Sequence, residues 1–103
     1  MNPYKIDFST VEWESPMPGV RHKAVIEGGV KLRLVEYTPE MAPHWCDRGH
    51  VGQILEGDFE IEFDGGAQVF RAGDGVLIPS GEQHRHMARV LSAVVRAIFV
   101  EEA

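Results

Sequence analysis

The sequence predicts an all-β protein, a small barrel or sandwich of short antiparallel strands. Three observations predict it. Phe59, Ile61 and Phe63 alternate with Glu60, Glu62 and Asp64, the two-residue period of a half-buried strand. Gly57, Gly65, Gly73 and Gly81 recur every eight residues among turn formers. Eleven glycines and six prolines in 103 residues are a high turn content for so short a chain.

The elements follow in order. Ser15-Pro16-Met17-Pro18-Gly19 carries two prolines that remove backbone donors, so it reads as a loop. Residues 1–19 form an N-terminal arm whose Tyr4, Phe8 and Trp13 offer apolar surface. Strand alternation then starts near Gly28: Val30, Leu32, Leu34 and Glu36 share one face, and Lys31, Arg33 and Val35 share the other. Each later glycine sits in a short turn (Glu56-Gly57-Asp58, Asp64-Gly65-Gly66, Ala72-Gly73-Asp74, Pro79-Ser80-Gly81), where glycine tolerates the positive φ of tight hairpins. Residues 84–98 are open on periodicity. Met87, Val90, Leu91, Val94, Val95 and Ile98 fit a helical repeat. The β-branched and aromatic residues from Val94 to Val100 favour strands.

Composition narrows function. The length suits one domain. Ten Lys+Arg against sixteen Asp+Glu give a net charge of −6, which disfavours nucleic-acid partners and anionic membranes. One cysteine, Cys46, rules out an intramolecular disulfide framework. No apolar run approaches the ~20 residues of a membrane span. No basic start precedes an apolar run at the N-terminus, so a cytoplasmic protein is expected.

Four of the five histidines fall in two clusters, His44-Trp45-Cys46-Asp47-Arg48-Gly49-His50 and His84-Arg85-His86. Neutral imidazole is the commonest ligand for transition metals, and a site needs three or four ligands from different elements. Residues two apart in an extended segment share a side, which pairs His44 with Cys46 and His84 with His86.

With these residues the chain resembles the cupin superfamily. That family's first motif runs His-x-His, a short gap, Glu, six residues, Gly; here His44, Cys46, His50 and Gly57 occupy the register. Its second motif runs Gly, five residues, Pro-x-Gly, two residues, His; here Gly73, Pro79, Gly81 and His84 match. Cys46 replaces the usual second histidine, His50 the usual glutamate, and Ala88 the final asparagine.

The resemblance implies one cupin-type antiparallel β-barrel or jelly roll of six to eight strands over residues 1–103, and resolves residues 84–98 as two strands. It implies a divalent transition metal held by His44, Cys46, His50 and His84. A thiolate ligand would favour softer metals, and Fe, Zn or Ni are expected. It implies a small-molecule ligand in the barrel and a metal-dependent enzyme of dioxygenase, isomerase or lyase type. The alternative is a non-enzymatic binding or sensing module. It also implies a homodimer, with the arm adding strand pairing to the barrel or to a second chain and offering its apolar residues to the interface. His86 is expected beside the metal and His22 at the surface. Gln53 and Arg85 are expected to face outward, Trp45 in packing or a dimer contact, and Arg96 in a salt bridge. Glu60, Glu62 and Asp64 form a solvated face.

Overall fold

The computed structural model describes residues 4–103, so the first three positions of the arm lie outside the described residues. Among the described residues nine strands form: β1 (Glu14–Met17), β2 (Val20–Glu27), β3 (Val30–Tyr37), β4 (His50–Glu56), β5 (Asp58–Phe63), β6 (Gly66–Arg71), β7 (Gly75–Ile78), β8 (His86–Val90) and β9 (Val95–Glu102). They make a six-stranded sheet in the order β1-β2-β3-β9-β4-β7 and a three-stranded sheet in the order β6-β5-β8. Every pairing between named strands is antiparallel. This is the jelly roll expected, with one strand more than the range anticipated: β1 takes in Ser15, Pro16 and Met17, which the prolines had suggested as a loop, because an edge strand tolerates the missing proline donor. Residues 84–98 divide into the end of a 3₁₀ turn (Glu82–His84), β8 and the start of β9. Strand propensity and pairing outweigh the helical spacing there.

The core lies between the two sheets. Val35, Ile54, Val95 and Phe99 are fully buried on the inner face of the large sheet. Phe59 and Ile61 meet them from β5. Tyr37 stacks on Phe59 with ring centroids 4.8 Å apart, joining the sheets. Each such large apolar side chain contributes about 1.5–3 kcal/mol by leaving water. Glu60 and Glu62 lie on the opposite face of β5, part-exposed and paired with Arg89.

Two glycines fix the frame. Gly57 takes φ 88° at the β4–β5 turn, where a Cβ would fall 2.1 Å from Val94 O. Gly52 lies mid-strand in β4, and a Cβ there would fall 1.8 Å from Ile98 O on β9. Close approach of the two backbones requires glycine. The turn at 64–66 differs from expectation: Gly66, not Gly65, adopts positive φ.

The arm folds back onto its own sheet. Residues 14–17 pair with β2, Trp13 lies under Arg21 (4.0 Å) and Lys23 (4.9 Å), and Lys23 Nζ donates to Phe8 O at 2.7 Å.

Candidate metal and ligand site

Register decides which side chains enter the barrel. In β3, Val35 faces the core, so Arg33 and Lys31 face inward with it, while Leu32 and Leu34 face out. Two-residue alternation thus carries the more charged face of this strand inside. In β9 the inward set Val95, Ala97, Phe99 ends at Glu101. His50 opens β4 opposite Ile78 on the same side. It is positioned by Gly49, whose amide donates to Ser80 Oγ at 2.8 Å.

The two histidine clusters are tied by backbone. Cys46 N donates to His86 O at 2.8 Å, His86 N donates to Cys46 O at 2.9 Å, and Gly81 N donates to Asp47 O at 2.9 Å. The loop before β4 is thereby fastened to β8 and to the turn before it.

These elements enclose a cavity of about 620 Å³, within the roughly 300–1,000 Å³ of small-molecule sites. Its walls combine apolar Met41, Phe59, Ile61 and Phe99 with His44, Cys46, His50, His86, Arg33 and Glu101.

A hydrogen-bonded chain crosses this wall. His50 Nδ1 meets Glu101 Oε2 at 2.5 Å, and Arg33 Nη2 donates to the same oxygen at 2.8 Å. Arg33 Nη1 donates to His22 Nδ1 at 3.1 Å. Burial alone would raise the Glu101 carboxyl, but the His50 hydrogen bond and the Arg33 charge outweigh it and hold it at about 2. Glu101 is therefore ionised at neutral pH. Burial pushes the Tyr37 hydroxyl up to about 12, so it keeps its proton.

His86 is the most enclosed of the cavity histidines, 4% exposed. Its Nδ1 is 3.1 Å from His84 O, and its Nε2 is buried with no hydrogen-bond partner. Burial lowers its pKa, favouring the neutral imidazole. The His50 and His86 rings stand edge to face, centroids 5.1 Å apart. His44, on the exposed loop, has Nδ1 3.1 Å from Ala42 O. So in each of the three histidines Nδ1 meets an oxygen acceptor, which leaves Nε2 as the atom with a free lone pair. Metal-binding histidines are oriented in this way. Among the described residues, no three His, Cys, Asp or Glu side chains are gathered closely enough to hold a metal ion as they stand. The donor chemistry fits a divalent transition metal, and closure would fall to His44 and Cys46 on the loop.

Of the four ligands expected from the resemblance, the cavity brings together His44, Cys46 and His50. It does not bring His84, which lines a separate depression beside Phe63, Phe70 and Pro79. The reason is local: residues 82–84 form a 3₁₀ turn, so alternation does not carry across to β8, and His84 and His86 point to different places. The surface placement expected of His22 is corrected. It faces inward from β2 opposite Val35 and lines the cavity. Gln53 faces out and donates to Gly73 O at 3.0 Å. Arg85 lies over Trp45 at 4.6 Å and donates to Asp64 at 2.9 Å. Arg96 pairs with Glu36.

Comparison with known proteins agrees with the fold. The cupin domain model matches residues 33–101, about two thirds of the chain. The chain belongs to the cupin family. The Oryzines biosynthesis cluster protein J of Aspergillus oryzae is 28% identical over 78 residues, covering 74% of this chain and 44% of that protein. The chain thus spans less than half the length of that relative. Among solved structures, KdgF from Halomonas sp. superposes with a TM-score of 0.71 at 23% identity, covering 88% of this chain and 84% of that one. A cupin-superfamily sugar phosphate isomerase from Silicibacter pomeroyi gives 0.74 at 17% identity, over 96% and 75%. The polyketide cyclase RemF from Streptomyces resistomycificus gives 0.73 at 21% identity, over 95% and 78%. At these identities the likeness is one of fold.

Proposed function

We propose that this cupin is a metal-dependent enzyme acting on a small organic molecule inside the barrel. His44, His50 and His86 would hold the metal through Nε2, with Cys46 beside it. One observation carries this reading: three cavity histidines have Nδ1 engaged by oxygen, and the Nε2 of His86 is buried with nothing to bond. A buried nitrogen lone pair left bare is costly, and a metal ion would satisfy it. The set differs from that implied by the family motifs in taking His86 in place of His84.

When bound, Fe, Zn or Ni on neutral imidazoles would supply a Lewis acid that polarises a substrate oxygen. The chain's own residues do the rest. Glu101 orients His50 and, with its carboxyl held at about 2, does not act as a general base at neutral pH. Tyr37 remains a proton donor at the cavity wall. Arg33 keeps its Nε buried without a partner, a donor suited to an anionic group on the substrate. Met41, Phe59, Ile61 and Phe99 keep the wall apolar and exclude water. An isomerase and a cyclase among the fold's relatives support a reaction on a small molecule. Dioxygenase, isomerase and lyase chemistry are all compatible with this wall.

A second reading rests on Cys46, which is half-buried, lines the cavity and is bridged to His86 through its backbone. With Sγ as a fourth ligand the site would be closed, as in structural or sensing sites. Metal titration of untagged protein separates the readings. Stoichiometric binding retained in Cys46→Ser supports the open enzyme site; binding lost in Cys46→Ser supports the closed one. Failure of Fe²⁺, Zn²⁺ and Ni²⁺ to bind the wild-type chain contradicts both.

A further inference from the structure

The cavity wall made by β2 and β3 carries two cations and an imidazole that are not needed to hold a metal. Lys31, Arg33 and His22 face inward from these strands and line the cavity. Lys31 stands directly opposite Glu101 in the β3–β9 pairing, yet the Glu101 carboxylate turns to His50 and Arg33 instead. Among the described residues no carboxylate comes within ion-pair distance of Lys31. Its ammonium is a part-exposed cation left without a counter-ion at the cavity.

Arg33 settles the state of His22. A guanidinium only donates, so Arg33 Nη1 at 3.1 Å makes His22 Nδ1 the acceptor. The imidazole proton then sits on Nε2. Burial lowers the His22 pKa, and Arg33 and Lys31 lower it further against Glu14 and Glu101, which favours the neutral ring. The two cations therefore outweigh the two carboxylates at this point. Glu14 acts from an exposed position on β1, where water and salt screen it. His22 Nε2–H is not fully buried and has no acceptor among the described residues. The corner thus holds two unmatched donors, Lys31 Nζ and His22 Nε2. It also holds one positive charge in excess, Lys31 and Arg33 against Glu101. It adjoins the histidine wall, because Arg33 and His50 share one oxygen of Glu101.

We propose that this corner binds the carboxylate of a small monocarboxylic acid, with Lys31 Nζ and His22 Nε2 as the donors and Arg33 fixing the His22 tautomer. One excess positive charge matches a carboxylate. A phosphate monoester carries about two negative charges at neutral pH and would leave one uncompensated. The anchored acid reaches toward His50, with Met17 and Val20 as apolar wall beside it. The inference rests on reading the cavity as a substrate site, but it uses no metal ligand, so the corner can be tested without metal.

The test is a titration of the full, EDTA-treated chain with benzoate, benzamide and inorganic phosphate at constant ionic strength, followed by two-dimensional amide NMR. Benzoate is expected to shift the His22, Lys31 and Arg33 resonances saturably. Benzamide is expected to bind at least roughly tenfold more weakly, and phosphate more weakly than benzoate. Lys31→Gln is expected to weaken benzoate roughly tenfold, and Lys31→Arg to retain most of the affinity. Amide resonances away from the corner check that both variants stay folded. The ring-nitrogen shifts of His22 are expected to show a protonated Nε2 and a bare Nδ1. No benzoate binding, equal binding of benzamide, tighter binding of phosphate, the opposite tautomer, or an unchanged affinity in Lys31→Gln each overturns the proposal. So does benzoate that binds only after metal is restored, which puts the carboxylate on the metal and leaves the metal reading standing. Corner binding in a chain that takes up no metal upholds the corner and contradicts the metal-dependent enzyme.

Discussion

Glu101, the last inward residue of β9, meets Nδ1 of His50, the first inward residue of β4, at 2.5 Å, and Arg33 holds the same carboxylate oxygen. One carboxylate therefore sets the orientation of a cavity imidazole and is itself kept ionised. Glu101→Gln keeps the shape but weakens the hold on His50. Metal affinity is expected to fall roughly 10–100-fold, with stoichiometry unchanged. Calorimetric titration of the two proteins checks this, and equal affinities would mean that Glu101 does not position His50.

The histidine pair at 84 and 86 separates the structure from the motif. His86→Ala is expected to abolish stoichiometric metal binding, while His84→Ala leaves the affinity within roughly threefold of wild type. The carbonyl of His84 still serves His86 Nδ1 in that variant, because it belongs to the backbone. The reverse outcome would return the site to His84.

Gly52 leaves no room for a methyl group. Gly52→Ala would drive Cβ into Ile98 O and is expected to cost about 3 kcal/mol or more. Gly75→Ala is the control: its nearest neighbour is 3.9 Å away and its φ is not positive, so its stability should stay within about 0.5 kcal/mol of wild type. Chemical denaturation of both proteins measures the difference.

Acid should loosen the Arg21–Glu36–Arg96 row. Burial raises the Glu36 carboxyl, but hydrogen bonds from Arg21 and Arg96 outweigh it and leave it below the usual carboxylate value. A folded value below the unfolded one adds stability that is present above pH ~4.5 and lost as pH falls through the folded value. Glu36→Gln is therefore expected to be less stable than wild type by about 2 kcal/mol at pH 7. The gap should narrow below pH ~4. A gap independent of pH in thermal unfolding would contradict the assignment.

The strands from Val30 to Phe63 and the turn glycines were legible because alternation and positive-φ demands are local. The site was legible in part. His44, Cys46 and His50 carry ligand chemistry in their residue types, and they line the cavity. His84 lies outside the cavity because a single 3₁₀ turn changes the side a residue faces, and spacing alone does not reveal that turn. Arg33 and Glu101 were invisible for a different reason. A charged residue in an alternating strand reads as solvent-facing, and only cross-strand register with Phe99 and Lys31 shows that both face inward. His22 looked remote because it is far from the motifs in sequence, yet β2 lies beside β3 and brings it to Arg33.

The most direct measurement is anomalous diffraction at the metal edges from crystals grown with Fe²⁺, Zn²⁺ or Ni²⁺. The account predicts one peak in the cavity, within about 2.0–2.3 Å of Nε2 of His50 and of His86, with His44 turned to join them. A peak on His84 outside the cavity, or a cavity without metal in protein saturated with all three ions, would contradict it.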